Sequence, residues 1–267
     1  MFGAIAPRYD LLNHLLSFNR DKAWRRRAVD LLLDQGSGIK DQESGIADRG
    51  SRIGDQGSGI RDLGSGIKER GSRIADRGSH HDVDGVFLDS CAGTLDLSVE
   101  LASRSNFRGT VVAADFTFDM LALGAAKVRG KPVLTACADA LQLPFSDGKF
   151  AGAMVGFGVR NLASIEAGFT EFARVLRPGA RLVVLEFTTP SRQPLRGLYL
   201  FYFRTLLPLI GRAISGHGGA YTYLPESVLQ FPEPPALARQ FERSGFHNVN
   251  WETRTGGIVA IHTGVRS

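Results

Sequence analysis

From residue 85 onward the chain alternates short apolar runs with longer segments of mixed polarity. The runs "GVFLDS", "TVVAADF", "PVLTACAD", "FAGAMVGFG", "ARLVVLEF", "NVNWETRT" and "IVAIHTGV" read as strands, rich in valine, isoleucine, phenylalanine and alanine. Helices fill the gaps at Leu95 to Ser103, Asp119 to Val128, Ser164 to Leu176, Leu195 to Ile214 and Pro234 to Ser244. Strand and helix in alternation predict a parallel sheet with crossover helices. The last two strands are joined near Gly256 and Gly257, too short a link for a crossover, so they form an antiparallel hairpin.

A second pattern interrupts the first. Between Asp34 and Ser79 isoleucine recurs at 39, 46, 53, 60, 67 and 74 within heptads such as "DQGSGIK" and "ERGSRIA". A coiled coil needs two apolar seams per heptad, and this repeat offers one beside glycines that each cost about 1 kcal/mol in a helix. The segment is expected to be a low-complexity, disordered insertion in a loop. The chain then divides into an amino-terminal helical lid or substrate segment over 1–33, the insertion over 34–81, and the main domain over 82–267. The longest apolar stretch, "LRGLYLFYFRTLLPLIGRAI", carries Arg196, Arg204, Arg212 and a central Pro208, which argue against a bilayer span.

Composition narrows the class. The 267 residues are 43% hydrophobic, enough for one sizeable domain with additions. A net charge of +5 admits acidic partners or an anionic membrane surface, yet no interleaving of aromatic and basic residues supports nucleic acid. Cys91 and Cys137 stand alone, which fits a reducing cytoplasm and gives neither a disulfide framework nor a zinc site. His80 and His81 lack companion ligands, so no metal site is expected. The opening "MFGAIAPRYD" has no signal-peptide pattern.

Ligands of such sheets bind beyond the carboxyl ends of the strands, where the strand order reverses. Four segments end there. Asp89 to Asp96 holds Gly93 and Thr94 in a turn suited to close backbone approach. Asp115 follows about 20 residues later, the spacing at which an acid bonds ribose hydroxyls. Asp139 and Ala140 could meet an adenine ring through a carboxylate and a backbone amide. Gly156 to Asn161, "GFGVRN", leaves room for a ligand and then presents Arg160 and Asn161. Each also has a purely structural reading: Asp89 and Asp96 as strand-end and helix-cap acids, Asp139 as a loop acid, Arg160 as a solvated charge.

A mainly parallel sheet ending in a hairpin is the arrangement of the Rossmann-like, class I S-adenosylmethionine-dependent methyltransferases, here with seven strands. The segments "MFGAIAPRYDLLNHLLSFNRDKAWRR", "ADALQLPFSDGKF", "GFGVRNLASIEAGFTEFARVLRPGARLVVLEF", "AYTYLPESVLQFPEPPALARQFERSGFHNV" and "TGGIVAIHTG" resemble one family, the menaquinone and ubiquinone biosynthesis C-methyltransferases. The resemblance spans nearly the whole chain outside the repeat. It implies S-adenosylmethionine as methyl donor, no metal, and donor contacts at Thr94, Asp115, Asp139 and Ala140, with Gly156 where family members often carry serine. It also implies an isoprenoid quinol as acceptor, demethylmenaquinol first and a ubiquinone-pathway benzoquinol as alternative.

One residue departs from the family pattern. Leu95 replaces a glycine of "GTGD" and is expected to bring a branched side chain to the methionine end of the donor. A cofactor-free paralogue acting as a scaffold in quinone synthesis is therefore a second reading. A nicotinamide dinucleotide is a third, opposed by the absence of the G-x-G-x-x-G arrangement. For methyl transfer to a ring carbon, Arg160 is the expected stabiliser of the developing oxyanion, oriented by Asn161, with Tyr9 and Asn13 as candidates on the acceptor side. The apolar residues of the first segment, followed by Arg20, Lys22 and "WRRR", suit either a lid or the inner membrane surface, and a homodimer stays open.

Overall fold

A computed structural model describes Ser17 and residues 20–34, 83–190, 193–201 and 227–267. Tyr9, Asn13, the heptad repeat and most of the long apolar stretch lie outside the described residues. Seven strands form one sheet: β1 (Val86–Ser90), β2 (Thr110–Asp115), β3 (Val133–Cys137), β4 (Phe150–Gly156), β5 (Leu176–Phe187), β6 (Phe246–Arg254) and β7 (Val259–Arg266). Their order is β3-β2-β1-β4-β5-β7-β6. The first five strands run parallel, and β7 lies antiparallel between β5 and β6. Gly256 and Gly257, with φ of 69° and 92°, turn the chain between β6 and β7.

Six helices are described, α1 (Asp21–Leu33), α2 (Asp96–Ala102), α3 (Phe118–Gly124), α4 (Ile165–Val175), α5 (Leu195–Phe201) and α6 (Pro234–Arg243). Their starts follow local chemistry. The hydroxyl of Ser164 accepts from the Ala167 N–H at the head of α4, a cap worth about 1 kcal/mol. α6 opens on prolines that need no amide partner there.

Because successive strand residues point to opposite faces, the sheet feeds two cores. Leu88, Val155 and Val184 turn toward Phe169, Phe172 and Phe241 of α4 and α6. Phe87, Met154 and Val183 turn the other way, against Trp24, Val29 and Leu32 of α1 and Leu97 and Leu101 of α2. Helix α1 is therefore part of the central packing. Arg181 of β5 fastens its end by donating to the carbonyls of Leu31 and Asp34. In β5 the register shifts after the pairing of Phe150 with Leu176, so Pro178 and Gly179 bulge out before the regular strand resumes at Arg181.

Candidate active site

The strand order reverses beside β1, which pairs with β2 on one side and β4 on the other. A cavity of about 400 Å³ opens at the carboxyl ends of these strands. It is lined by Asp89 near the end of β1 with Gly93 and Thr94 beyond it, Asp115 at the end of β2, Asp139 and Ala140 after β3, and Gly156 at the end of β4 with Asn161 beyond it. Four separate stretches of sequence thus meet around one space.

The acids are held in distinct ways. Asp115 accepts from the Gly93 N–H at 2.8 Å through Oδ2 and from the Thr117 N–H at 2.8 Å through Oδ1. It therefore ties the β1 loop to the head of α3 and keeps one lone pair on each oxygen for a diol. Asp139 accepts from the Leu141 N–H at 2.9 Å, which folds its loop and leaves its other oxygen for a ligand. Asp89 is fully buried; Ser98 donates to its Oδ2 at 2.6 Å, while Oδ1 has no partner. Burial pushes its carboxyl up to about 7, against the Ser98 bond, with the charges of Asp115 and Asp96 adding to the rise. A buried carboxylate oxygen with no partner at a cavity wall is a seat for a cation. Burial likewise raises the thiol of Cys91, another lining residue, to about 12, so it stays protonated and is no nucleophile at neutral pH.

Leu95 does not do what its place in the loop suggests. Its backbone has φ 68° and ψ 19°, the left-handed region, so the turn that glycine would favour is retained. Its side chain is fully buried and points away from the cavity, packing on Ala113, Leu121 and Val128. Gly124 makes room for it: a Cβ there would lie 2.6 Å from Leu95 Cγ. Gly156 is matched in the same way to Leu97, whose Cδ1 would stand 2.5 Å from an added Cβ. The expectation that Leu95 crowds the donor is corrected by this geometry.

Arg160 also departs from expectation. Its guanidinium does not line the cavity; it donates to Glu186 Oε2 at 2.8 Å and to the Phe157 carbonyl at 2.6 Å, and lies over the Phe187 ring. Both members of the Arg160–Glu186 pair are buried, at 6% and 1% side-chain exposure. The pair fixes the Phe157 to Asn161 turn and leaves Asn161, not Arg160, facing the cavity.

The first helix adds residues that sequence reading did not assign to the site. Arg25 of α1 lines the cavity. It donates to Asp21 Oδ2 at 2.6 Å and lies 3.1 Å from Asp96 Oδ2. Asp96 also receives Lys127 at 2.8 Å, and Asp21 receives the hydroxyl of Ser17 at 2.7 Å. Arg27 pairs with Glu252. Of the basic run "WRRR", Arg25 is buried in its ion pairs, Arg27 is partly exposed beside Glu252, and Arg26, 68% exposed, lies 4.0 Å from Glu100.

A seven-stranded sheet in this order, with a loop, an acid at the end of β2 and a cavity at the reversal point, defines a class I S-adenosylmethionine-dependent methyltransferase. Solved structures agree on the fold. The chain superposes on an S-adenosylmethionine-dependent methyltransferase from Aquifex aeolicus with TM-score 0.50 at 17% identity, covering 68% of this chain and 82% of that one. It superposes on the [4+2]-cyclase SpnF with TM-score 0.52 at 18% identity, covering 70% and 78%. Sequence comparison goes further. The ubiE/COQ5 methyltransferase family matches residues 69–266. The demethylmenaquinone methyltransferase of Thermus thermophilus is 41% identical over the whole of both chains. A ubiquinone/menaquinone biosynthesis C-methyltransferase of Geobacter is 36% identical over all of this chain and 94% of its own. The chain belongs to the ubiE/COQ5 methyltransferase family.

Proposed function

We propose that the protein transfers the methyl group of S-adenosylmethionine to a ring carbon of a demethylated isoprenoid quinol, converting demethylmenaquinol to menaquinol. The observation that carries this reading is the shared cavity, in which Asp89, Gly93, Asp115 and Asp139 meet in a chain of this family. The Thermus relative's activity supports the naphthoquinol acceptor.

The residues fit the donor chemically. Asp115, already oriented by two backbone amides, accepts from the ribose hydroxyls. Asp139 and the backbone of Ala140 meet the adenine. The unpartnered Oδ1 of Asp89 suits the donor's ammonium group, and Gly93 and Thr94 pass beside its methionyl chain. When bound, the donor supplies a methyl group on a positively charged sulfur. The protein's share is to hold that methyl in line with the acceptor carbon and to exclude water. Asn161 faces the cavity and donates to the acceptor hydroxyl oxygen as charge develops there. Arg160, locked by Glu186, is a positioning residue for that turn. No metal is assigned a role.

The acceptor's isoprenoid tail brings the protein to the cytoplasmic membrane surface. No helix among the described residues is long and apolar enough to cross a bilayer. Phe116, 76% exposed, lines the cavity and supplies apolar surface there, and the 68% exposed Phe118 follows two residues later.

Incubation with methyl-labelled S-adenosylmethionine and either demethylmenaquinol or a demethylated benzoquinol tests this. Label in the naphthoquinol ring is the expected result. Label in the benzoquinol alone moves the assignment to the ubiquinone branch, and label in neither, with no donor bound, selects the cofactor-free scaffold reading.

A further inference from the structure

The charges lining the cavity are unequal. Asp89, Asp96, Asp115 and Asp139 contribute four carboxylates, and Arg25 is the only cationic side chain among the described residues that line it. S-adenosylmethionine carries two positive groups, its sulfonium and its ammonium, and one negative group, its carboxylate. Acids can serve the first two. The carboxylate needs a donor that is not itself an acid, in a space whose walls otherwise repel it.

Arg25 is built for that task. Its side chain is 10% exposed and held in one place by Asp21 on its own helix and by Asp96 on the first turn of α2. Those two carboxylates lie against Nη1 and Nη2, and a guanidinium has five N–H donors in a planar fork. Asp96 is shared with Lys127, which reduces its hold on Arg25. The α1 helix is packed on the sheet through Trp24, Ala28, Val29 and Leu32, so the guanidinium is fixed relative to Gly93 and Thr94 before any ligand arrives.

We propose that Arg25 binds the carboxylate of the donor's methionyl group, making the amino-terminal helix a structural part of the donor site. This rests on the reading of the cavity as the S-adenosylmethionine site and assigns to it a residue outside the strand-end loops. Discrimination between the donor and its decarboxylated form then resides in α1, 68 residues before Gly93 in the chain.

The test is calorimetric titration of the full chain with S-adenosylmethionine and with decarboxylated S-adenosylmethionine. The unaltered protein should bind the complete donor roughly 10- to 100-fold more tightly, the range for a hydrogen-bonded charge. Arg25→Met should lose that preference, with affinity for the complete donor falling to that for the decarboxylated one and the latter nearly unchanged. Arg25→Lys, which keeps the charge and the ion pairs with Asp21 and Asp96, should retain part of the preference. Equal loss of both affinities in Arg25→Met, with the preference kept, overturns the proposal and makes Arg25 a scaffold residue. Equal binding of the two ligands by the unaltered protein overturns it without any variant. Binding of neither ligand by the unaltered protein rejects the cavity assignment itself, a separate failure.

Discussion

Replacing Leu95 by glycine restores the residue its loop would ordinarily carry, and the structure predicts that the change harms stability and leaves donor binding alone. Two opposing terms decide the sign. A leucine at φ 68° pays roughly 1–2 kcal/mol of backbone strain, which glycine removes. The leucine side chain is fully buried among Ala113, Leu121 and Val128, and truncating a buried leucine costs about 2.7–5 kcal/mol. The packing term is larger, so Leu95→Gly should lose about 1–4 kcal/mol. Urea denaturation with and without the substitution measures this, with calorimetric titration of S-adenosylmethionine in parallel. The reasoning is refuted if the variant is as stable as the parent and binds the donor more tightly, because the leucine must then touch the donor and not the α3 core. Adding Gly124→Ala to Leu95→Gly should not recover the loss, since the added methyl would still lie 2.7 Å from the Thr94 carbonyl oxygen.

Other substitutions separate binding from architecture. Asp115→Ala should weaken donor affinity by about 1.5–3 kcal/mol in the same titration, because it removes both the ribose acceptor and the carboxylate that holds Gly93 and Thr117; unchanged affinity would place the ribose elsewhere. Glu186→Leu, which strands the buried Arg160 charge, should destabilise the protein by about 3–5 kcal/mol in denaturant melts, and the double variant with Arg160→Met should be distinctly milder. If the single and double variants are equally unstable, the pair is not coupled. His262 is buried against Phe241 and Pro234, and burial lowers its imidazole to about 4 from 6.5. Its folded form resists protonation, so the stability it preserves is complete above pH 6.5 and drains away toward pH 4 at up to about 1.4 kcal/mol per unit. Denaturant melts from pH 7.5 to 4.5 should show a shallower fall for His262→Phe than for the parent; parallel slopes would remove His262 as the cause.

The sheet was legible because each strand is a compact apolar run bounded by polar or glycine-rich residues. Predicted and observed strands coincide within a few residues from β1 through β7. The strand-end acids were legible because chain order alone puts Asp89, Asp115 and Asp139 at the same edge of a parallel sheet. Side-chain direction was not. Leu95 looked like an intruder on the donor because its partner, Gly124, lies beyond α2 and β2, at the end of α3, and only the folded chain shows the two in contact. The same holds for Leu97 and Gly156. Arg160 carried the expected charge in the expected turn, but its partner Glu186 is contributed by the next strand and draws the guanidinium off the cavity. Arg25 was hidden in a basic run that suited a membrane surface, and nothing local announces a bond to Asp96 across the whole repeat. Isolated motif reading finds residue types at strand ends; long-range ion pairs decide which of them face the ligand.

A crystal structure of the full chain with S-adenosylhomocysteine tests the central claim most directly. The account predicts the ligand across the carboxyl ends of β1, β2 and β3, with both ribose hydroxyls within hydrogen-bond distance of Asp115 and the adenine against Asp139 and Ala140. A ligand seated elsewhere, or ribose hydroxyls turned away from Asp115, would contradict it.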